Sequence, residues 1–421
     1  MPDLWHGDVQ DFGRQSRYQC DAGQSADPEL IMPQQLAYVI ITPYSLYKSR
    51  TGGILSRLIS RTGLDLAAMR MFAPGAELIR QYADNIVSAQ DPQDRRIQEL
   101  LCQYVIQNFS PDPKTGRRRR IMMLLFRGND AVRKVRSVVG NLSPERRVGE
   151  TIRDTYGDLI TDDNGQIRYF EPAVLAAPNP EEVDAKLKLW ARFSDKEGGV
   201  LENVIVYQSG ETSQRTLVLI KPDNFRFATG RPGNVIDFFS RAGLFIVGAK
   251  VHRMSVAQAM EFYGPVREVL RTKLKDLVGA RAKAALEKEF GFKIPATEEK
   301  QLGETLGATF GDNQFENIIR FMSGHASSEL PREDWNKPGT EKCIALVYEG
   351  VNAVAKIRDV LGPTDPSKAP PGSIRREFGS TIMVNAAHAS DSPENAKREM
   401  GIVNIGENNF SQIIEETCGK V

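Results

Sequence analysis

His388 stands in Val384-Asn-Ala-Ala-His-Ala-Ser-Asp-Ser392, just past the apolar run Ile382-Met-Val384, and Glu399 follows one helical segment later. An imidazole at a strand end with a carboxylate nearby is how a histidine is oriented and made more basic, as a nucleophile or a base requires. A single histidine is more often structural than catalytic, and the chain has only three others, His6, His252 and His325. The company His388 keeps changes that prior. Lys221 ends an apolar strand, Arg358 lies in a helical pattern, Arg375 follows a Pro-Pro-Gly turn, and Thr364 adds a hydroxyl between the arginines. Three cations and several hydroxyls from separate segments suit a polyphosphate held by charge-assisted hydrogen bonds. The chain contains neither GxxxxGK[ST] nor GxGxxG, so a P-loop and a Rossmann fingerprint are excluded.

The elements that must carry these residues occur twice. Leu36-Ala-Tyr-Val-Ile-Ile-Thr-Pro43 is answered by Thr216-Leu-Val-Leu-Ile-Lys-Pro222, and Ser60-Arg-Thr-Gly-Leu64 by Ser240-Arg-Ala-Gly-Leu244. In both copies apolar residues at helical spacing precede a glycine placed as a helix C-cap. Phe126-Arg-Gly-Asn-Asp-Ala-Val-Arg-Lys-Val-Arg136 then parallels Tyr348 to Arg358, and Glu150-Thr-Ile-Arg153 parallels Gly372-Ser-Ile-Arg375. Four matches in one order imply a duplication. Tyr82 matches Tyr263 and Gly128 matches Gly350, so the offset grows from 181 to 222 and the second copy is 41 residues longer between these points. The extra stretch, about 266–313, reads as a helix, Arg267 to Phe290, followed by a polar segment, Lys293 to Asn313, and as a peripheral decoration rather than a flap. Each copy alternates helices with about four strands, which predicts an α+β fold. Residues 1–34 read as a polar arm, 35–209 as the first domain and 210–421 as the second, with the boundary in the polar stretch from Ser209.

Composition narrows the classes. Lys and Arg number 55 against 54 Asp and Glu, so no net field points to nucleic acid or an acidic membrane. The run Gly116-Arg-Arg-Arg-Arg120 has no interleaved aromatics and reads as a hairpin rim facing water; nucleic acid is not the expected partner. Four scattered cysteines form no CxxC pair, against a zinc site or disulfide framework and in keeping with a reducing compartment. No apolar run approaches the ~20 residues of a membrane span. The amino terminus lacks the pattern of a signal peptide, so a cytoplasmic location is expected.

The second copy resembles the nucleoside diphosphate kinase family. The resemblance rests on Thr216-Leu-Val-Leu-Ile-Lys-Pro-Asp223, Glu261-Phe-Tyr-Gly264, Tyr348-Glu-Gly-Val-Asn352, Pro371-Gly-Ser-Ile-Arg375 and Asn385-Ala-Ala-His-Ala-Ser-Asp391, and runs from about 214 to 403. It implies tandem ferredoxin-like βαββαβ sandwiches, each an antiparallel sheet with helices on one face. It also implies ping-pong transfer of a γ-phosphate from a nucleoside triphosphate, through the histidine, to a nucleoside diphosphate. Mg²⁺ would bridge the phosphates with no direct protein ligand. Carried over by position, His388 would be the nucleophile, with Glu399 orienting its ring and Ser390 nearby. Lys221 and Tyr263 would meet the transferring phosphate, and Arg358, Thr364 and Arg375 the inner phosphates. Asn385 would bind the sugar, and Ile382 and Phe315 would wall an apolar base slot. Three positions depart from the family pattern: Gln314 where a stacking aromatic is usual, Asn224 for a glycine after Lys-Pro-Asp, and Ala389 for a glycine after the histidine.

The first copy, about 35 to 192, resembles the same family more weakly. Thr42 stands where Lys221 does and Tyr44 where Asp223 does; pairing Pro180 with Pro393 puts Leu175 in place of His388. No histidine occurs between His6 and His252, so this copy cannot carry phosphohistidine chemistry alone. Tyr82, Arg136 and Arg153 persist, in what reads as a degenerate half kept for packing. Family members assemble as dimers within larger oligomers, so the two halves are expected to form a pseudo-twofold dimer within one chain. The alternative to an active kinase is a nucleotide-binding or scaffold protein that reuses the fold.

Overall fold

The computed structural model describes residues 34–91, 94–142 and 149–421, so the expected N-terminal arm lies outside the described residues apart from its last position. The first half contributes β1 (Gln35–Ile41), β2 (Asp65–Phe72), β3 (Ile121–Gly128), a hairpin of β4 (Asp158–Thr161) and β5 (Ile167–Glu171), and β6 (Val174–Ala176). The second contributes β7 (Ser213–Ile220), β8 (Phe245–His252), β9 (Cys343–Val351) and β10 (Ala387–Ala389). One antiparallel sheet has the order β2-β3-β1-β6, the other β8-β9-β7-β10. Numbered within each four-stranded sheet, both are 2-3-1-4, the strand order of a ferredoxin-like βαββαβ fold. The interior strands β3 and β9 are buried on both faces, so they read as continuous apolar runs, Ile121–Phe126 and Ile344–Val347, rather than alternating ones.

The duplication extends to irregularities. Pairing with the third strand slips between Leu66 and Ala68 in β2, and between Ile246 and Gly248 in β8. Each bulge lies beside a leucine seated on a glycine of the facing strand, Leu64 on Gly128 and Leu244 on Gly350, where a Cβ would fall 2.7 and 2.5 Å from a leucine methyl. The C-cap glycines, Gly63 and Gly243, both take left-handed backbone, with φ 62° and 64°.

The halves meet through equivalent elements. Helix Thr51–Thr62 of the first packs on helix Arg231–Phe239 of the second. They cross so closely that a Cβ at Gly52 would lie 2.4 Å from the Gly233 carbonyl oxygen, and one at Gly233 2.3 Å from that of Gly52. The edge strands β2 and β8 also touch. The C-terminal helix Asn409–Cys418 lies on helix Pro180–Glu197, where Phe410 and Trp190 both meet Phe72 edge-on at 5.5 and 5.2 Å.

Two features depart from the sequence reading. Lys293–Asn313 is not an irregular polar segment: most of it belongs to a 28-residue helix, Ala296–Ser323, which packs on Lys275–Phe290 and Val256–Lys273. Its polarity belongs to an exposed face, while Gly303, Gly307 and Gly311 let the neighbouring backbone approach. The arginine run is not simply a solvated rim. Arg118, Arg119 and Arg120 donate to the carbonyls of Ala73, Gln107 and Ile246, and the last of these ties the halves together at 2.6 Å.

Candidate active site

The histidine is held by a short strand between a strained turn and a capped helix. His388 is the middle residue of β10, opposite Leu219. Before it, Ala386 has φ +69°, and the Ala387 amide donates to the Asn385 carbonyl at 2.8 Å, a γ-turn of a kind rarely accepted by a residue with a Cβ. After it, Ser392 caps helix Pro393–Ile402, whose first position is proline and whose second turn carries Glu399 back to the ring. His388 Nε2 lies 2.9 Å from Glu399 Oε2, and Ser390 Oγ donates to the same oxygen at 2.6 Å. Glu399 and Ser390 are buried, while the imidazole side chain is 23% exposed. An Nε2–H given to the carboxylate leaves the lone pair on Nδ1. Phe262 meets the ring edge-on at 4.9 Å, and Tyr263 lies 6.3 Å away.

The cations come from three other segments. Lys221, directly after β7, is buried; its Nζ donates to Asn385 Oδ1 at 2.9 Å and to the Met383 carbonyl, and lies 4.9 Å from the centre of the Phe321 ring. Burial pushes its pKa down to about 7; Arg375 adds to this and Asp223 opposes it. Arg375 Nη1 donates to the Gly362 carbonyl at 3.0 Å and Nη2 to that of Ala387 at 3.3 Å, while its Nε is buried with no protein partner. Burial, then the neighbouring Arg358, lowers its pKa to about 10. The Tyr263 hydroxyl is likewise buried without a protein partner, and burial raises its pKa. A buried donor without an acceptor is costly in a folded chain.

The structure therefore brings His388, Glu399, Ser390, Tyr263, Lys221, Asn385 and Arg375 into one connected cluster, with Arg358 beside it. Thr364 joins through its carbonyl, which accepts from Asn385 Nδ2 at 3.1 Å. The base-slot pair differs: Ile382 is 53% exposed, whereas Phe315 is only 3% exposed and packs in the core with the Arg267 guanidinium 5.5 Å from its ring centre. Phe315 thus presents no open face to a base; the helical insertion supplies Arg267, which covers it. Sequence reasoning missed Phe321. It lies six residues after Phe315, about 120° around the same helix, so spacing from Phe315 gives no signal of the lysine it meets.

A family model for nucleoside diphosphate kinase matches residues 35–191, 214–279 and 290–407. The chain belongs to the nucleoside diphosphate kinase family. A nucleoside diphosphate kinase from Campylobacter hominis is 32% identical over 193 residues, 46% of this chain and 96% of that protein. One from Wolinella succinogenes is 33% identical over 188 residues, 44% of this chain and 92% of that protein. Among solved structures, an NDP kinase from Pyrobaculum aerophilum is 27% identical, covering 45% of this chain and 95% of that one at a TM-score of 0.31. Of the departures from the nucleoside diphosphate kinase pattern, Ala389 is accommodated: it lies within β10, and the left-handed residue is Ala386.

Within this family member the first half offers an internal control. Leu175 lies opposite Ile40, as His388 lies opposite Leu219. The same offset puts Lys186 where Glu399 stands and Ala177 where Ser390 stands. Lys186 is buried and paired with Glu182 at 2.5 Å. Thr42, in the place of Lys221, donates to Glu171 at 3.0 Å, and Tyr104 donates to the same carboxylate at 2.6 Å. Arg153 repeats the grip of Arg375, with Nη1 on Gly140 and Nη2 on Val174. Burial and then Arg136 push its pKa down to about 9, with Asp91 opposing. The arginine grip persists in this half, but a leucine and a lysine stand where His388 and Glu399 do.

Proposed function

We propose that the second half transfers the γ-phosphate of a nucleoside triphosphate to a nucleoside diphosphate by a ping-pong route through His388. The observation that carries this reading is the Glu399–His388 contact at Nε2, which leaves Nδ1 as the nucleophilic nitrogen, in a cluster with Tyr263 at 6.3 Å between ring centres, Arg375 on the adjacent Ala387 carbonyl and Lys221 on Asn385. In the first half-reaction Nδ1 attacks the γ-phosphorus as its bond to the β-bridging oxygen breaks, and the diphosphate leaves with that electron pair. The second half-reaction reverses this with a different diphosphate. Glu399 holds the ring and stabilises the charge it gains, and Ser390 fixes the carboxylate. Lys221 and Tyr263 meet the transferring group, while Arg358 and Arg375 hold the inner phosphates and Asn385 the sugar.

Among the described residues no three His, Cys, Asp or Glu side chains form a group able to hold a metal ion. The basic set Lys221, Arg358 and Arg375 fits a Mg²⁺ carried on the nucleotide's phosphates, where it would neutralise charge that the three cations leave over. Incubation with γ-labelled ATP and Mg²⁺ should give an acid-labile, alkali-stable label that a diphosphate chases into triphosphate. Nucleotide binding without such a label would favour a sensing or scaffold role.

The reading includes a reason for retaining the first half. The reciprocal Gly52–Gly233 contact supports an intramolecular pseudo-dimer, in which the degenerate copy supplies the packing surface that a second subunit would otherwise give.

A further inference from the structure

We infer that Asn224 is a positioning residue for the transfer: its amide clamps the strained turn that aims His388. This inference rests on the proposed role of His388. Asn224 occupies the position where the resemblance places a glycine, and it is buried. Its Nδ2 donates to the Ala386 carbonyl at 2.7 Å and to the Lys221 carbonyl at 2.9 Å, while its Oδ1 accepts from Arg231 Nε at 2.9 Å. Arg231 is itself tied to Asp223 at 3.1 Å and to the Phe378 carbonyl. One side chain thus joins the backbone of Lys221 to the backbone two residues before His388.

The contact falls where the backbone most needs holding. Ala386 is the left-handed centre of the γ-turn, and its carbonyl accepts from both the Lys221 amide, at 2.9 Å, and Asn224. Asn385, which binds Lys221 Nζ, precedes Ala386, and His388 follows Ala387. Relaxation of Ala386 toward ordinary negative φ rotates the chain between these two groups. A strained conformation persists only where its surroundings over-determine it.

The first half shows that the clamp is a separable device. There Ala173, φ +59°, is the centre of the equivalent turn, with the Val174 amide on the Pro172 carbonyl at 2.6 Å. Its carbonyl accepts from the Thr42 amide at 3.3 Å and from Ser45 Oγ at 2.9 Å. Ser45 stands three residues after Thr42, as Asn224 does after Lys221. Two chemically different side chains at one position make the same bond to the same strained residue, so serine can substitute for the turn-holding part of Asn224.

The test compares Asn224→Ala with Asn224→Ser in the full chain. Single-turnover labelling of His388 by γ-labelled ATP should slow on the order of tenfold to a hundredfold in Asn224→Ala, because a misaimed nucleophile loses rate. Affinity for the diphosphate should stay within about twofold, and Asn224→Ser should recover most of the rate. Imidazole NMR signals of ¹⁵N-histidine-labelled protein provide a readout independent of turnover, with only four histidines to assign. The His388 signals should shift in Asn224→Ala and return in Asn224→Ser. An unlabelled wild-type protein would overturn the transferase reading while leaving the NMR comparison to decide the clamp. Unchanged His388 signals in folded Asn224→Ala, or a loss that serine does not repair, would overturn the clamp itself.

Discussion

Leu175 and His388 hold the same register position in two sheets of one topology, each the middle residue of a three-residue edge strand. The pair separates fold from chemistry. Both strands follow a left-handed alanine, but only one carries a histidine.

His388→Ala should abolish labelling by γ-labelled ATP, since the proposed route runs through its imidazole. Leu175→His should gain nothing, because Lys186, Ala177 and Thr42 stand where Glu399, Ser390 and Lys221 would be needed. Acid-labile label on the Leu175→His, His388→Ala double variant would contradict this.

Lys221→Ala should cost about 2–4 kcal/mol of transition-state stabilisation, the range for removing one group aimed at developing charge. Comparison of kcat/KM for the variant and the parent checks it. Glu399→Ala should leave the His388 Nε2–H without its acceptor and the buried Ser390 hydroxyl with only the Leu217 carbonyl at 3.5 Å, lowering folding stability by about 1–3 kcal/mol. Denaturant titration reads that loss separately from the fall in transfer.

Lys221 also sets a pH dependence. Burial lowers its pKa to about 7 from an ordinary 10.5, so between these values the unfolded chain binds more protons at this site. Stability attributable to Lys221 therefore rises with pH across that window, and the burial penalty is fully present below about 7. A bound polyphosphate favours the ammonium. Triphosphate binding at pH 8 should take up protons, measured by calorimetry in buffers of different ionisation enthalpy, and Lys221→Met should remove that uptake.

The crossing of helices Thr51–Thr62 and Arg231–Phe239 should tolerate no side chain. A Cβ at Gly52 would meet backbone, the Gly233 oxygen at 2.4 Å and the Asp237 nitrogen at 2.6 Å. Gly52→Ala should destabilise the chain by about 1–3 kcal/mol, the usual cost of overpacking, seen as a lower Tm. A Tm equal to that of the parent would show that the helices separate freely.

Much of this was legible in the sequence because duplicated motifs keep order and spacing. The β-strands and the C-cap glycines follow from local patterns, and the grouping of His388, Glu399, Lys221 and Arg375 from the resemblance to the family. Phe315 and Phe321 were harder: both lie on one long helix but about 120° apart around it, and periodicity does not say which ring is covered by Arg267 or meets Lys221. The β4–β5 hairpin has no counterpart in the second half, so the repeat gave no guide to it. Arg118–Arg120 misled because a run of like charges reads as solvated, whereas these guanidiniums satisfy carbonyls. Asn224 could be flagged as a departure but not explained, because its partners are 3 and 162 residues away.

The meeting of Gly52 with Gly233 has an evolutionary corollary. Identical subunits related by a true twofold axis must accept every substitution twice, once on each side. Here the two sides are encoded separately, so one can lack the histidine that the other keeps. Covalent linkage also keeps the local concentration of each side about the other constant, however dilute the protein becomes.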